Sequence, residues 1–266
     1  MKQLRLKVIS CESLSRELYL AAAFSSHIVD LKFFARKAHE VPEQMRSSIQ
    51  FEIDRTGSGK SRVPESGCDI LCPACLDTQY DYIVIAIGLC GNATAGVRAG
   101  DTPLIIPKTH DCNSFLMGSA GRFKEFMAED PGTIFYHFGQ VERSTDIGMI
   151  DSVPKNTGLG GTYEEYEKKY GKENAKYLID FEYKWTRSHK RAAYLYPESA
   201  GEVIDWKMNE VKDYASQFNW RVERLAESGE FFRLMLSGSW DEEYFLTVRP
   251  GEEIVPSYDD GVIRCK

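Results

Sequence analysis

Three cysteines and a histidine stand where short apolar runs end. Cys11 follows Leu4–Ile9, Cys90 follows Tyr82–Ile87, and Cys112 follows Leu104–Ile106 within Pro107-Lys108-Thr109-His110-Asp111-Cys112. Read as neighbouring strands of an open sheet, these runs deliver all four side chains to the carboxyl edge, where such sheets collect ligands. Zinc takes thiolates and imidazole in a tetrahedron and keeps one position open in catalytic sites. Cys11, Cys90, His110 and Cys112 are therefore candidate ligands of a metal, or members of a reactive thiol centre. Residues two apart on a strand face the same way, so His110 and Cys112 reach one ion if their segment stays extended. Glu12 and Asp111 are the candidate proton carriers or supporting groups. In an extended chain Asp111 points away from the ligands and could orient an imidazole by hydrogen bonding. The plain alternative is a pair of core cysteines beside a hydrogen-bonded histidine.

A second cluster, Cys68-Asp69-Ile70-Leu71-Cys72-Pro73-Ala74-Cys75, has the spacing that holds three irons of a four-iron cluster or three corners of a zinc site. The same spacing occurs in the radical S-adenosylmethionine motif, but the strand pattern of that barrel is missing. Cys68, Cys72 and Cys75 follow a polar, glycine-rich loop, Arg55–Pro64, and precede the strand Tyr82–Ile87. A strand of about six residues spans roughly 20 Å. The triplet is thus expected at the opposite sheet edge, as a separate structural or iron–sulfur site. The turn Gly88–Gly96 matches neither the Walker nor the dinucleotide pattern; it offers backbone N–H groups to a phosphate or simply turns tightly around Cys90. Gly57-Ser58-Gly59-Lys60-Ser61 has no buried strand leading into it and reads as a solvated loop. Tyr163, Tyr166, Tyr170 and Tyr177 lie at helical spacing and read as packing.

The elements that must carry these residues alternate as in α/β proteins. Strands are expected at Leu4–Ile9, Tyr82–Ile87, Leu104–Ile106, Thr133–Phe138, Ala192–Tyr196, Trp220–Leu225 and Tyr244–Val248. His27–Phe34 is a strand or an extension of the preceding helix. Helices are expected at Ser15–Phe24, from Pro42 to about Ile53, from about Ser114 to Met127 with Asn113 or Ser114 as cap, at Tyr163–Trp185, at Gly201–Gln217 and at Phe231–Leu236. The fold class that follows is α/β, a largely parallel sheet with flanking helices in two lobes. The polar stretch Asp151–Gly161 divides them, into an N-terminal lobe of residues 1–150 carrying the Cys/His site and a C-terminal lobe of residues 151–266.

Composition bounds the partners. With 33 basic and 40 acidic residues, a net charge of −7 argues against non-specific nucleic-acid binding. No apolar run approaches the roughly 20 residues that span a bilayer, and the N-terminal residues enter a strand pattern without a signal-peptide core. A cytoplasmic protein with no membrane partner is the expectation. Seven cysteines in a reducing compartment are more readily ligands or catalysts than disulfide partners; Cys265 alone reads as a small hydrophobe.

Several segments, taken in order, resemble one uncharacterised family: Cys11-Glu12; His39 with Pro42; Gly88-Leu89-Cys90-Gly91; Ile106 through Cys112; Gly118-Ser119; Asp130-Pro131-Gly132-Thr133; Thr162 through Tyr166; Lys169 through Ala175; and Gly238-Ser239-Trp240-Asp241. The family is that of domain of unknown function 1638, best known from methanogens and anaerobic bacteria. The chain departs from the family pattern, which has tryptophan after the glycine, by having Gln140 after Gly139. The resemblance implies a context of corrinoid-dependent methyl transfer from methylated amines. Locally, the His-x-Cys pair with a distant cysteine also resembles the zinc site of cobalamin-independent methionine synthase and coenzyme M methyltransferases. There zinc holds a substrate thiol as thiolate. The expectation is a zinc-dependent enzyme of thiol or methyl-group chemistry in anaerobic one-carbon metabolism, acting on a small molecule or with a corrinoid-pathway protein. A non-catalytic carrier of metal, cluster or corrinoid is the alternative, and a structural protein without a site the third reading.

Overall fold

Alternation of apolar strands and amphipathic helices produces a mixed α/β architecture. The computed structural model describes residues 2–35, 41–57, 79–145, 147 and 162–266, excluding the side chains of 182–188. His39, the triplet Cys68, Cys72, Cys75, the Gly/Ser loop up to Pro64 beyond Gly57, and the expected boundary Asp151–Gly161 lie outside the described residues. Those described form two compact units, Met1–Phe115 with Gly229–Lys266, and Leu116–Ser228.

The first unit is built on a five-stranded sheet of order β2-β1-β3-β4-β8. Its strands are β1 (Arg5–Cys11), β2 (Ile28–Phe34), β3 (Tyr82–Ala86), β4 (Leu104–Pro107) and β8 (Phe245–Val248). The first four are parallel and β8 is antiparallel to β4. His27–Phe34 thus resolves as a strand. From β1 the chain steps one way to β2 through α1 (Ser15–Phe24), then across to the other side of β1 to make β3, after α2 (Pro42–Gly57). That reversal places a topological switch point between β1 and β3.

Period-two alternation sorts β1 onto two faces. Ile9 joins Ile83, Ile85 and Ile87 in packing against Met45, Ile49 and Ile53 of α2. On the other face Tyr19 of α1 meets Phe33, ring centroids 5.4 Å apart, and α1 lies against α9 (Gly229–Met235). Two further strands, β9 (Ile254–Pro256) and β10 (Ile263–Cys265), make an antiparallel hairpin. The hairpin is tied to the sheet's loops by Gly96 N–H to Ile254 O at 2.7 Å and Ile254 N–H to Val97 O at 2.9 Å.

The amino edge of this sheet is clamped by Gly238-Ser239-Trp240-Asp241. Leu4 N–H donates to His27 Nδ1 at 3.2 Å, so the ring proton sits on Nε2 and is donated to Ser237 O at 2.8 Å. Gly238 has φ +75 and a Cβ there would collide with His27 Nε2. Trp240 Nε1 donates to Met235 O at 2.9 Å while its ring meets Tyr82 edge-on at 4.7 Å.

The second unit holds a three-stranded parallel sheet, β5 (Thr133–His137), β6 (Arg191–Tyr196) and β7 (Arg221–Ala226), in that order. α8 (Val203–Ser216) packs Ile204, Met208 and Val211 on Ile134, Tyr136 and Tyr194. The segment Asp130-Pro131-Gly132-Thr133 serves Arg191, whose side chain is 1 % exposed. Arg191 Nε donates to Thr133 Oγ1 at 2.6 Å and Nη2 to Phe126 O at 2.7 Å, while Thr133 Oγ1 donates to Asp130 O at 2.7 Å.

Two expected helices are each split. The stretch from Ser114 to Met127 is α3 (Cys112–Leu116) and α4 (Ala120–Glu129), interrupted at Gly118 with φ +96. Ser119 caps α4 by accepting from Arg122 N–H at 3.1 Å. Tyr163–Trp185 is α6 (Tyr163–Tyr170) and α7 (Lys172–Ser188), separated by Gly171 with φ +82. A left-handed residue cannot continue a right-handed helix, and glycine adopts it without strain. Between β5 and α6 lies the short α5 (Phe138–Glu142).

Lys7 and Glu52 form a buried ionic group in the first unit. Lys7 Nζ donates to Glu52 Oε1 at 2.5 Å and Thr56 Oγ1 at 2.6 Å, and Arg55 Nη2 reaches the same carboxylate oxygen at 3.2 Å. Burial lowers the Lys7 pKa. Burial also pushes the Glu52 carboxyl up, but hydrogen bonding and charge from Lys7, with Arg55 behind, hold it below its ordinary 4.5. The share of stability due to Glu52 is therefore present above pH 4.5 and lost as pH falls through its lowered folded value. Removing Lys7 strands a buried carboxylate, so Lys7→Ala is expected to lower the unfolding free energy by about 3 kcal/mol. Urea denaturation at pH 7 measures it; a negligible loss would mean that Arg55 alone satisfies Glu52.

Candidate functional site

The carboxyl ends of β1, β3 and β4 line up by register, Ser10 beside Ala86 and Val84 beside Ile105. Cys11 ends β1 itself, at the switch point. Ser13 Oγ donates to its sulfur at 3.0 Å. Glu12 opens a short 3-10 turn, Glu12–Leu14, directly after it and is half-buried.

Cys90 and Cys112 are brought in by loops, and a missing side chain allows it. A Cβ on Gly88 would sit 2.8 Å from both the carbonyl oxygen and Oγ1 of Thr109. With none there, Leu89 N–H donates to Thr109 O at 2.8 Å and Cys90 N–H to His110 O at 2.7 Å. These two bonds continue the β3–β4 pairing past the strands. Cys90, Gly91 and Asn92 then take φ of +46, +63 and +67, a left-handed turn closed by Ala93 N–H to Cys90 O at 3.2 Å. Arg46 Nη2 holds its far end by donating to Asn92 O at 2.8 Å.

The segment carrying His110 and Cys112 does not stay extended. Asp111 Oδ1 accepts from Ser114 N–H at 3.0 Å and Ser114 Oγ at 3.1 Å, which caps α3 and makes Cys112 its first residue. Asp111, rather than Asn113 or Ser114, is the cap. The turn has two consequences. The Asp111 carboxylate lies beside the thiols instead of pointing away, since its charge acts on both Cys90 and Cys112. His110 is exposed and faces a different space, a cleft of about 580 Å³ shared with Leu89, Asn92, Tyr258, Asp259 and Asp260.

Cys11 is close enough to act on the ionisation of Cys90, and both act on that of Cys112. Burial raises the Cys90 thiol from its ordinary 9.0 to about 12, with Cys11 and Asp111 adding repulsion. Burial likewise raises Cys112 well above 9.0, with Asp111, Cys90 and Cys11 adding. In this arrangement the Cys90 and Cys112 thiols are neutral at physiological pH. Among the described residues no three His, Cys, Asp or Glu side chains are grouped to hold a metal ion. The donor set is nonetheless that of a thiophilic ion, since sulfur ligands select zinc, copper(I) or iron–sulfur clusters.

Sequence reasoning missed Ser13, the Asp111 cap and the acidic wall of the cleft. The first lacks any local signature. The cap is visible as Asp-x-x-Ser before an apolar pair, and the wall as the turn Ser257-Tyr258-Asp259-Asp260-Gly261, where Asp259 Oδ1 accepts from Ser257 Oγ at 2.6 Å and Gly261 N–H at 2.8 Å.

The sequence model of a family described as "Protein of unknown function (DUF1638)" matches residues 33–236. No curated protein and no solved structure matches the chain. Among the described residues no helix is long and apolar enough to cross a membrane.

A thiol near 12 holds about a thousandfold less thiolate at pH 8 than one at 9. Metal-free protein treated with iodoacetamide at pH 8 is therefore expected to alkylate Cys90 and Cys112 at least about a hundredfold more slowly than a model thiol peptide, followed by peptide mass spectrometry. Rates should still be climbing above pH 9; a plateau near pH 8 would refute the electrostatic picture.

Proposed function

The chain belongs to the DUF1638 family of proteins of unknown function, and we propose that it is a metal-dependent enzyme of thiol or methyl-group chemistry, with zinc as the lead ion and Cys11, Cys90 and Cys112 as its sulfur donors. The observation that carries this reading is that Cys11 ends β1 while Cys90 and Cys112 follow β3 and β4, three soft donors at the carboxyl edge of a parallel sheet. Thiols that burial, one another and Asp111 keep protonated ionise only against a cation, so metal binding would expel their protons. A divalent ion bound there supplies the charge that keeps a substrate thiol as the nucleophilic thiolate.

The chain's own residues divide the remaining work. Asp111, fixed by its cap, adds negative charge beside the thiols and favours a cation over a free thiolate. Glu12 beside Cys11 is the candidate to take the proton of an entering thiol, while His110 faces the cleft. The substrate is a small molecule received in the cleft or a methyl group presented by a corrinoid-pathway protein. Cys68, Cys72 and Cys75 form a separate structural or iron–sulfur site on this reading.

Metal analysis of anaerobically purified protein tests it. One zinc per chain is expected, lost in Cys90→Ser and in Cys112→Ser and retained in Cys72→Ser. Binding of zinc to stripped protein should release protons and protect Cys90 and Cys112 from alkylation. Full metal content in both Cys90→Ser and Cys112→Ser would sink the proposal. A single metal or cluster lost equally in Cys72→Ser and Cys90→Ser would join the clusters into one centre. Ready release of the ion to a chelator, with no substrate bound in the cleft, would favour a carrier.

A further inference from the structure

β2 ends the five-stranded sheet, and among the described residues no strand pairs with its outer edge. Ile28 N–H donates to Leu4 O at 2.9 Å. By strand alternation the backbone groups of residues 28, 30, 32 and 34 then face β1, and those of Val29, Leu31 and Phe33 face outward. Seven residues, Ile28-Val29-Asp30-Leu31-Lys32-Phe33-Phe34, with neither proline nor bulge, form a template for another strand. Apolar surface surrounds the edge: Phe24 is 76 % exposed, Tyr19 60 % and Ile28 43 %.

We propose that β2 pairs antiparallel with β2 of a second copy of this chain, about a two-fold axis at Leu31, joining two five-stranded sheets into one. The strand is charge-complementary to itself in that register and in neither adjacent one. Centring on Leu31 makes the outward-facing residues the hydrogen-bonded pairs, Leu31 with Leu31 and Val29 with Phe33, so the outward N–H and C=O groups of all three are satisfied. The alternating non-hydrogen-bonded pairs, whose side chains approach most closely, set Asp30 against Lys32 and Lys32 against Asp30, with Ile28 against Phe34. An axis at Asp30 would oppose two aspartates and one at Lys32 two lysines, so charge selects the register. Lys32 is exposed, and Asp30 remains 30 % exposed although Arg5 Nη2 binds it at 2.9 Å. A two-fold normal to the sheet keeps faces together, so Tyr19 and Phe24 of both copies flank the joint on one side.

Sedimentation equilibrium of the full chain at tens of micromolar, with three substitutions, tests the interface. The wild-type protein is expected at twice its 30.2 kDa chain mass. Leu31→Pro removes an outward N–H and no bond to β1; it should give a monomer with unchanged circular dichroism. Lys32→Glu sets like charges opposite each other, raising the dimer dissociation constant at least about tenfold, with partial recovery as salt is added. Lys32→Arg should stay dimeric. Should Leu31→Pro unfold the chain, Lys32→Glu decides alone. A monomeric wild type, or a dimer unmoved by Lys32→Glu, overturns the proposal.

Discussion

The close approach of Gly88 to Thr109 is the contact on which the carboxyl edge depends. Strand pairing between β3 and β4 is short, with Ile83 beside Leu104 and Val84 beside Ile105 as its partners. The bonds from Leu89 and Cys90 to Thr109 and His110 carry the pairing onward into the loops. Any side chain at Gly88 would force the two loops apart and with them Cys90 from Cys112. The left-handed turn at Cys90-Gly91-Asn92 follows from the same constraint, because the chain must reverse at once to bury Ala93 and Val97 against the sheet. Arg46 on α2 then secures the turn from below, so the helix that covers one face of the sheet also fixes its edge.

The sheet's two edges are built with opposite economies of polarity. At the amino edge polar groups are spent on structure: His27 bridges Leu4 and Ser237, Trp240 bridges Met235 and Tyr82, and Asp81 accepts from Arg5 N–H at 2.8 Å. At the carboxyl edge, by contrast, Cys11, Cys90 and Cys112 gather with Asp111, whose charge acts on Cys90 and Cys112. Burial first, and then the charge of Asp111 and the neighbouring cysteines, raises the Cys90 and Cys112 thiols. Functional sites in open parallel sheets arise at this edge because the loops there are released from the alternation that governs strands.

The segments that carry the resemblance divide the same way. Asp130-Pro131-Gly132-Thr133 anchors the buried Arg191, and Gly238-Ser239-Trp240-Asp241 closes on His27; both are accounted for by packing and hydrogen bonding. Gly88-Leu89-Cys90-Gly91 and His110-Asp111-Cys112 are structural too, through Gly88 and the Asp111 cap.

Periodicity in the sequence determined the strands and their class. Leu4–Ile9 and Tyr82–Ile87 read as strands, and a cysteine at or just past the end of each is a local fact that folding preserved. Gly118 and Gly171, the residues that split two expected helices, stood in the sequence as well, but a mid-helix glycine breaks a helix only if packing favours a turn there, as it does where α4 and α7 begin. Strand order, by contrast, was illegible, because parallel neighbours are joined by crossovers whose direction no local pattern records. It is that order which set Cys11 and Cys90 on either side of the switch point. The division of His110 from the thiols was equally hidden. It follows from one carboxylate capping one helix turn, a three-residue competition between extension and helix that the burial of Ser114 and Phe115 settles in the tertiary structure.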